Sequence, residues 1–468
     1  MTKRPFTSLR HKIHVKHGFP FKGEHFRGTG PYVVLTPGNF SEEGGFKRNA
    51  AKDKCYSELF PEEYLLKKGD ILVAMTEQTD GLLGSMAKIP ESNRFLHNQR
   101  LGLVTALTSA VDVEFLYHLF KTKWVRKQIR RSASGSKVKH TSPERLYDVQ
   151  VQLPSPREQA AIATILSALD AKIEINNRLN EELEGMAKLL YDYWFVQFDF
   201  PITAAQAAAM GKPRLGGKPY RASGGRMVYN DAHKREIPYG WKSGNILALS
   251  DLGGGATPSK HVPEFWRGSI PFFTPTDAES EPFCLDTECH ITQLGLGNSA
   301  TRLYRKGTLF ITARGSVGKA MIISRAMAMN QSCYALCPHD GVGSAFLYFH
   351  TLSLMDYLHA KSSGSIFKSI VTNDIAFTPA IVPASEQLAA FNDFAEPVFQ
   401  SILTHQEQSQ QLTALRDWLL PMLMNGQVSV GGCTLPRLSI GAPKPLSGLR
   451  SKALRCQLKK SAPHEVGR

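Results

Sequence analysis

The 468-residue chain is short of three things. It has no run of about 18 apolar residues, and Met1-Thr-Lys-Arg-Pro opens it without the apolar stretch of a signal peptide. It therefore reads as neither membrane-spanning nor exported, and a cytoplasmic location is expected. Its seven cysteines are sparse and odd in number, as in a reducing compartment, so no disulfide framework is expected. Acidic residues are also short: 41 Asp and Glu face 56 Lys and Arg, a net charge of +15.

The charge imbalance is local. Residues 1–153 hold 25 Lys/Arg against 15 Asp/Glu, residues 154–430 hold 23 against 25, and residues 431–468 hold 8 against 1. A basic globule attracts polyanions by releasing their counterions, which makes nucleic acid the leading partner class. Apolar residues are 42% and charged residues 21%, enough to bury a core in each of about three domains.

An internal repeat organises the chain. Gly18-Phe-Pro-Phe-Lys22 corresponds to Gly255-Ala-Thr-Pro-Ser-Lys260, with Lys22 and Lys260 separated by 238 positions. Thr36-Pro-Gly-Asn39 matches Thr274-Pro-Thr-Asp277, and Lys68-Gly-Asp-Ile-Leu-Val73 matches Lys306-Gly-Thr-Leu-Phe-Ile311, both at 238. Asn98-Gln99 matches Asn330-Gln331 at 232, Ser134-Gly-Ser136 matches Ser363-Gly-Ser365 at 229, and Glu158-Gln159 matches Glu386-Gln387 at 228. Collinear matches whose offset drifts only by small deletions indicate a duplication of about 230 residues.

Each half changes its hydrophobic period once. Residues 1–153 carry short β-type runs at 32–35, 71–75, 101–105 and 149–153 and one helix near 113–131; residues 237–382 repeat this at 270–273, 308–312, 321–323 and 334–337, with a helix near 344–361. Both are mixed α/β globules. Each is followed by a long helical pattern, within 154–200 and 383–430. The first seam contains Ile162, Ile165, Leu169, Leu179, Leu183, Met186, Leu190 and Tyr193, interrupted by Lys172 and Asn176. The second contains Leu388, Phe391, Ala395, Val398, Ile402, Leu412, Leu415 and Leu419, interrupted by His405 and Ser409. A spacing of 3.5 over five heptads asks for one long partner, so the two helices are expected to form an antiparallel coiled coil with their polar centres together. Pro397 should kink the second helix or begin a new one. Residues 201–236, rich in Gly, Ala, Lys and Pro, read as a linker, and the basic tail 431–468 as disordered.

At the helices the wording becomes specific. Leu153-Pro-Ser-Pro-Arg-Glu-Gln-Ala-Ala-Ile162, Asn176-Asn-Arg-Leu-Asn180 and Tyr193-Trp-Phe-Val-Gln-Phe-Asp199 closely resemble the central conserved helix of Type I restriction-modification specificity subunits. Leu415-Arg-Asp-Trp-Leu-Leu-Pro-Met-Leu-Met-Asn-Gly426 resembles the distal conserved helix of that family. Gly217-Lys-Pro-Tyr220 through Lys234-Arg-Glu-Ile-Pro-Tyr-Gly-Trp241 is similar to the entry into the second recognition domain. Gly30-Pro-Tyr-Val-Val-Leu-Thr-Pro-Gly-Asn-Phe40 and His97-Asn-Gln-Arg-Leu-Gly102 look like motifs of one class of first recognition domain. The resemblance covers about residues 5–430; the Ala-rich insertion near 202–211 and the basic tail depart from it.

The resemblance implies a non-catalytic subunit with two target-recognition domains, 1–153 and 237–382, reading a split, asymmetric site in double-stranded DNA. The paired helices would set the separation and dock two modification subunits, with restriction subunits joining them. Ile162, Leu169, Asn176, Leu183, Leu190, Trp194, Leu388, Ile402, Leu412 and Leu419 are the candidate pairing and docking positions. S-adenosylmethionine, ATP and Mg²⁺ would belong to the partners, with no cofactor on this chain.

The chain's own motifs agree with that division. Adenine methylation calls for an Asn/Asp-Pro-Pro-aromatic turn around a flipped base, and no Asn-Pro or Asp-Pro pair occurs. A common nuclease site needs Glu-x-Lys to hold Mg²⁺ and a water, and that triplet is absent too. Gly315-Ser-Val-Gly-Lys-Ala320 has the wrong spacing for a phosphate-binding loop and ends in Ala. Cys284, Cys289, Cys333 and Cys337 are spaced more loosely than zinc knuckles, and core cysteines are the better reading.

For DNA, phosphates want Lys, Arg or small Gly/Ser loops, and base edges want Arg, Asn, Gln or Lys on loops. Ser134, Gly135, Ser136, Lys137 and Lys139, with Ser363, Gly364, Ser365 and Lys368, fit the phosphate role; a plain surface turn is the bland alternative. Asn98, Gln99 and Arg100, with Asn330 and Gln331, could read adenine or tie strands together. Thr76, Glu77, Gln78, Thr312 and Arg314 follow equivalent strands, and Lys22 and Lys260 complete the set. Two rival readings remain open on sequence alone: a free-standing double reader or scaffold, and the specificity subunit of a different DNA-modification machine.

Overall fold

The computed structural model describes residues 5–428 and 430, apart from 49, 79–80 and 362–368. The expected tail, with Ser363, Gly364, Ser365 and Lys368, lies outside the described residues. The halves fold alike because the same strands pair in the same register. In the first, Ile13–His17, Leu101–Ala106, Ile71–Ala74 and Met86–Lys88 form an antiparallel sheet in that order. In the second, Ser250–Gly254, Cys333–Pro338, Leu309–Thr312 and Ala320–Ile323 repeat the order, with Phe283–Cys284 added as a parallel edge. Leu72 pairs with Leu103 and Phe310 with Ala335, so the registers repeat at the offsets found in the sequence.

The central strands Ile71–Ala74 and Leu309–Thr312 are buried at every position because both faces are covered. Ile71 and Val73 pack towards Phe115, while Leu72 and Ala74 pack towards Val33 and Phe95 of a small second sheet. In the other globule Leu309 and Ile311 share a core with Phe346, and Phe310 shares one with Phe273. The helix expected near 113–131 is in fact two, Val113–Leu119 and Lys123–Ser132. Thr122 breaks it: its hydroxyl donates to the Leu119 carbonyl (2.7 Å) and accepts from the Val125 N–H (3.4 Å), capping the second helix. In the second globule Ser344–Lys361 is continuous.

The long helices are Pro156–Tyr191 and Ser385–Met424. They run antiparallel: Asp170 meets Arg416 (2.9 Å), the Asn176 amide donates to the His405 carbonyl (3.3 Å), and Tyr191 lies beside Phe391. The second helix passes through Pro397 without starting anew; Phe391, Ala395, Phe399 and Ile402, buried on either side, hold it across the lost hydrogen bond. The seam itself is rotated from the expected one. Met186 and Tyr193 are exposed, and the buried positions are Asn176, Asn180, Ala187 and Tyr191, with Leu183 and Leu190 partly covered. Leu169, Leu412 and Leu419 are half-buried, and Lys172 points to solvent. The buried series keeps the heptad spacing, but in each heptad the inward position after Asn176 and Leu183 is four residues on, at Asn180 and Ala187, and not three. The polar centre is consequently Asn176 and Asn180 against His405 and Ser409.

Both rod ends are built into the globules. Ile162, Leu166, Leu420, Leu423 and Met424 belong to the first core; Ala187, Tyr191, Leu388, Phe391 and Ile402 belong to the second, where Trp194 packs near Phe391. The segment 201–236 is folded, contrary to the linker reading. Phe200 stacks between Tyr220 (centroids 4.6 Å apart) and Trp241 (5.2 Å), Ile202 and Ala207 are buried, and Met227–Asn230 pairs with Arg235–Pro238. Its many glycines and lysines hid a few large anchors.

Candidate nucleic-acid interface

Four separate stretches of the first half come together at one end of its main sheet. The Phe19 N–H donates to the His97 carbonyl (2.8 Å) and the Gln99 N–H to the Phe19 carbonyl (3.1 Å). Gly18 makes this possible, because a Cβ there would sit 2.2 Å from the Asn98 backbone. At the end of the central strand the Met75 N–H donates to the Arg100 carbonyl (3.0 Å), while the Met75 carbonyl accepts from the Thr141 N–H (2.9 Å). Thr76 and Glu77 pair with His140 and Lys139. One strand end therefore gathers the loops around 18–22, 97–100 and 134–141.

The second half repeats the arrangement. A Cβ on Gly255 would lie 2.3 Å from the Met329 carbonyl oxygen. The Ala313 N–H donates to the Ser332 carbonyl (2.8 Å), and the Ala313 carbonyl accepts from the Ile370 N–H (2.9 Å). Arg314 bridges to Ser369, and Thr257 donates to the Gln331 side chain.

Within these clusters the candidate residues separate into readers and supports. Gln78, Gln99, Arg100, Ser136, Lys137, Gln331 and Arg314 are exposed on the loops, as are Lys22 and Lys260 nearby. Asn98 is buried, and its Oδ1 accepts the Arg100 N–H (3.0 Å); Asn330 does the same for Ser332 (2.9 Å). These amides shape the turns. Thr312 is fully buried, its hydroxyl bonded to the Ser316 carbonyl and accepting from the Lys319 N–H (3.0 Å), which corrects its assignment as a DNA contact. Thr76 and Lys139 are half-buried. The Ser134 hydroxyl accepts from Arg145 (2.8 Å), a half-buried arginine that carries no signal in the repeat, and Gly135 takes a positive φ of 96° where a Cβ would strike the Val138 carbonyl.

Glu77 is nearly fully buried. Its carboxylate accepts from the Gly81 N–H (3.1 Å), the Leu83 N–H (2.8 Å) and Arg130 Nε (3.3 Å), so it fastens the backbone at Gly81 and Leu83 to the helix Lys123–Ser132. His97 is enclosed beneath the 97–100 turn; burial lowers its pKa to about 4, and its Nε2–H donates to the Leu101 carbonyl (2.9 Å).

The site is tied to the rod through charge. Asp170 takes Lys121 of the globule (2.7 Å) and Arg416 of the opposite helix (2.9 Å). Burial pushes the Asp170 carboxyl up, but the two cations outweigh it and hold the pKa below the usual range. Cys284 and Cys333 pack in the second globule's core beside Phe273 and Phe310, and burial pushes both thiols up to about 12. Among the described residues no group of three or more His, Cys, Asp or Glu is placed to hold a metal ion, and no helix is long and apolar enough to cross a membrane.

The family model described as "Type I restriction modification DNA specificity domain" matches twice, at residues 12–185 and 238–414, which are the two duplicated halves. The HindI specificity subunit of Haemophilus influenzae is 25% identical over 410 residues, covering 78% of this chain and 87% of that protein. The MjaIX specificity subunit of Methanocaldococcus jannaschii is 27% identical over 324 residues, covering 68% and 69%. The crystal structure of a Type I restriction-modification S subunit from M. genitalium superposes with a TM-score of 0.57 at 15% identity, over 91% of this chain and 97% of that one, a likeness of fold. With both halves matched and the duplicated loop clusters at opposite ends of one rod, the chain belongs to the family of Type I restriction-modification DNA specificity subunits.

Proposed function

We propose that this chain reads a two-part, asymmetric site in double-stranded DNA, one part with each globule, 1–153 and 237–382. The antiparallel helices hold the parts at a set distance; at 1.5 Å per residue the 36-residue helix Pro156–Tyr191 is about 54 Å long. The observation that carries this reading is the duplicated convergence. The same loops gather around Met75 and around Ala313, each at the free end of a sheet whose core is continuous with one end of the rod. Exposed Arg, Gln and Lys side chains on those loops are suited to base edges and phosphates. As a specificity subunit the chain recognises and does not catalyse. S-adenosylmethionine, ATP and Mg²⁺ fall to the modification and restriction partners, in the cytoplasm where the DNA lies.

A second feature supports docking of two modification subunits. Met186 and Leu189 are 56% and 70% exposed on the first long helix, and Leu415 and Trp418 are 43% and 57% exposed on the second. The pairs are related by the repeat, both at an offset of 229. Large apolar side chains left in water in duplicate mark two equivalent contact surfaces. The test is co-expression with modification subunits. A complex of two modification subunits per chain that methylates DNA is expected, while the chain alone binds DNA without methylating or cutting it. Methyl transfer by the clean lone chain would overturn the proposal, as would a failure to take up modification subunits.

A further inference from the structure

The two globules share a fold and differ in charge. Residues 1–153 carry 25 Lys/Arg against 15 Asp/Glu, whereas residues 237–382 carry 11 against 10. Much of the excess lies in the helix Lys123–Ser132, which holds Lys123, Arg126, Lys127, Arg130 and Arg131 and no acid. Two of these cations serve the fold: Arg130 binds Glu77, and Arg126 donates to the Gly81 carbonyl. The other three, Lys123, Lys127 and Arg131, are exposed, and none makes an ion pair or hydrogen bond among the described residues. They recur every four residues, so they form one stripe opposite the buried Val125 and Ile129.

This stripe does not help the helix. Like charges four apart destabilise by about 0.2–0.5 kcal/mol per pair, and the helix contains three such pairs, 123/127, 127/131 and 126/130. The fold does not require it either. Phe115-Leu116-Tyr117 repeats as Phe346-Leu347-Tyr348 at an offset of 231, and the same count carries Lys123 and Lys127 to Leu354 and Leu358, both buried. The helix runs from the rod joint, where Trp124 packs at a tilt against Phe6, straight into the loop 134–140 with Lys137 and Lys139. From Lys123 to Arg131 it spans about 12 Å. One DNA strand offers about three or four phosphates over that length, at roughly 3.4 Å of axis each.

We infer that Lys123, Lys127 and Arg131 form a sequence-independent clamp on DNA phosphates beside the first half-site, making the first globule the electrostatic anchor of the pair. The inference rests on the DNA-reading function proposed above. It predicts a division of labour: the first globule supplies most of the salt-dependent affinity, and the second discriminates with little net charge.

The test uses the full chain with its modification subunits. Binding to cognate and non-cognate duplexes is followed by fluorescence anisotropy between 50 and 200 mM salt, for the wild type and for K123Q/K127Q/R131Q. At about 0.9 per phosphate contact, the loss of two or three contacts should shrink the slope of log K against log salt by about 1.8–2.7. That corresponds to a roughly 60- to 500-fold loss at 0.1 M salt. The loss should be equal for both duplexes, leaving their ratio unchanged, and the unfolding midpoint should not fall, because repelling pairs are removed. K212Q/R214Q/K218Q, which removes the same charge from the folded segment between the halves, should leave the slope within about 0.5 of the wild type. An unchanged slope in the stripe variant, an equal loss in the control, a loss confined to the cognate duplex, or loss of the modification subunits with DNA binding intact would each overturn the clamp. If instead the wild type prefers no duplex, the DNA-reading function fails before the clamp is tested.

Discussion

If the helix pair is the ruler, lengthening it should lengthen the spacer of the recognised site. The stretch between the Asp170–Arg416 pair and the Asn176–His405 layer is the place to do so, because it lies clear of both globule cores. Four residues inserted after Ile173, and four after Gln411 on the opposite helix, extend the rod by about 6 Å and rotate the downstream face by about 40°. Two base pairs of DNA advance by about 6.8 Å and turn by roughly 70° in the same sense. Rise therefore matches to within about 1 Å, and a twist of roughly 30° is left for the readers and the DNA to absorb. The spacer should grow by one or two base pairs with both half-sites unchanged. Holding to the original spacer would sacrifice one reader's contacts, at about 1–3 kcal/mol per base pair, so methylation of the original site should drop by roughly two orders of magnitude or more. The assay is sequencing-based methylation mapping of a library with randomised spacers, using the complex assembled on the lengthened chain. An assembled variant that still required the original spacer would refute the ruler.

Other consequences are measurable on stability and assembly. Asp170→Asn leaves Lys121 enclosed without its counter-charge and Arg416 with Asp417 alone, and urea titration should register a loss of about 3–5 kcal/mol. The contribution of this carboxylate is present at neutral pH and lost as pH falls through its lowered folded pKa, so the variant should be flatter in acid; equal acid sensitivity would contradict the assignment. Burial lowers the pKa of His97 and His350 to about 4 and that of His118 to about 3. Below about 6.5 the unfolded chain takes up protons that the folded chain refuses, so acid favours unfolding, by about 2 kcal/mol per histidine at pH 5. Unfolding midpoints that do not fall between pH 7 and pH 5 would count against this. Asn176→Leu removes a buried amide whose Oδ1 has no partner among the described residues; the midpoint should rise, while cysteine crosslinks should detect pairing one heptad out of register. Met186→Glu with Leu189→Glu should leave the midpoint unchanged and reduce the complex from two modification subunits to one by native mass spectrometry; an intact two-to-one complex would remove that surface from the account.

Much of this architecture was legible because duplication leaves a collinear trace that local ambiguity does not erase. The offsets of 238, 232 and 229 reappear as strand registers and as the hydrogen bonds of Met75 and Ala313. The antiparallel rod and its polar middle followed from spacing. What sequence hid was decided by three-dimensional phase and by burial. The strand Ile13–His17 alternates Ile and Val with His and Lys and reads as a polar stretch, although its inner residues are core. Met186 is apolar and fits the seam by spacing, while the seam position is Ala187, which permits close approach without advertising itself. Thr312 and Asn98 carry side chains fit for DNA but spend them on their own backbone. Glu77 stood beside good DNA candidates, yet its burial with Arg130 could only be seen once the helix Lys123–Ser132 was packed over the loop.

The central claim is that two independent readers sit at fixed separation on one non-catalytic rod. Its most direct test replaces residues 237–382 with the corresponding domain of another specificity subunit, keeping 1–236 and 383–468. The hybrid is then assembled with the modification subunits and the methylated sites are mapped. The account predicts that one half of the bipartite site changes while the other half and the spacer stay as they were. A site altered in both halves, or in neither, would contradict it.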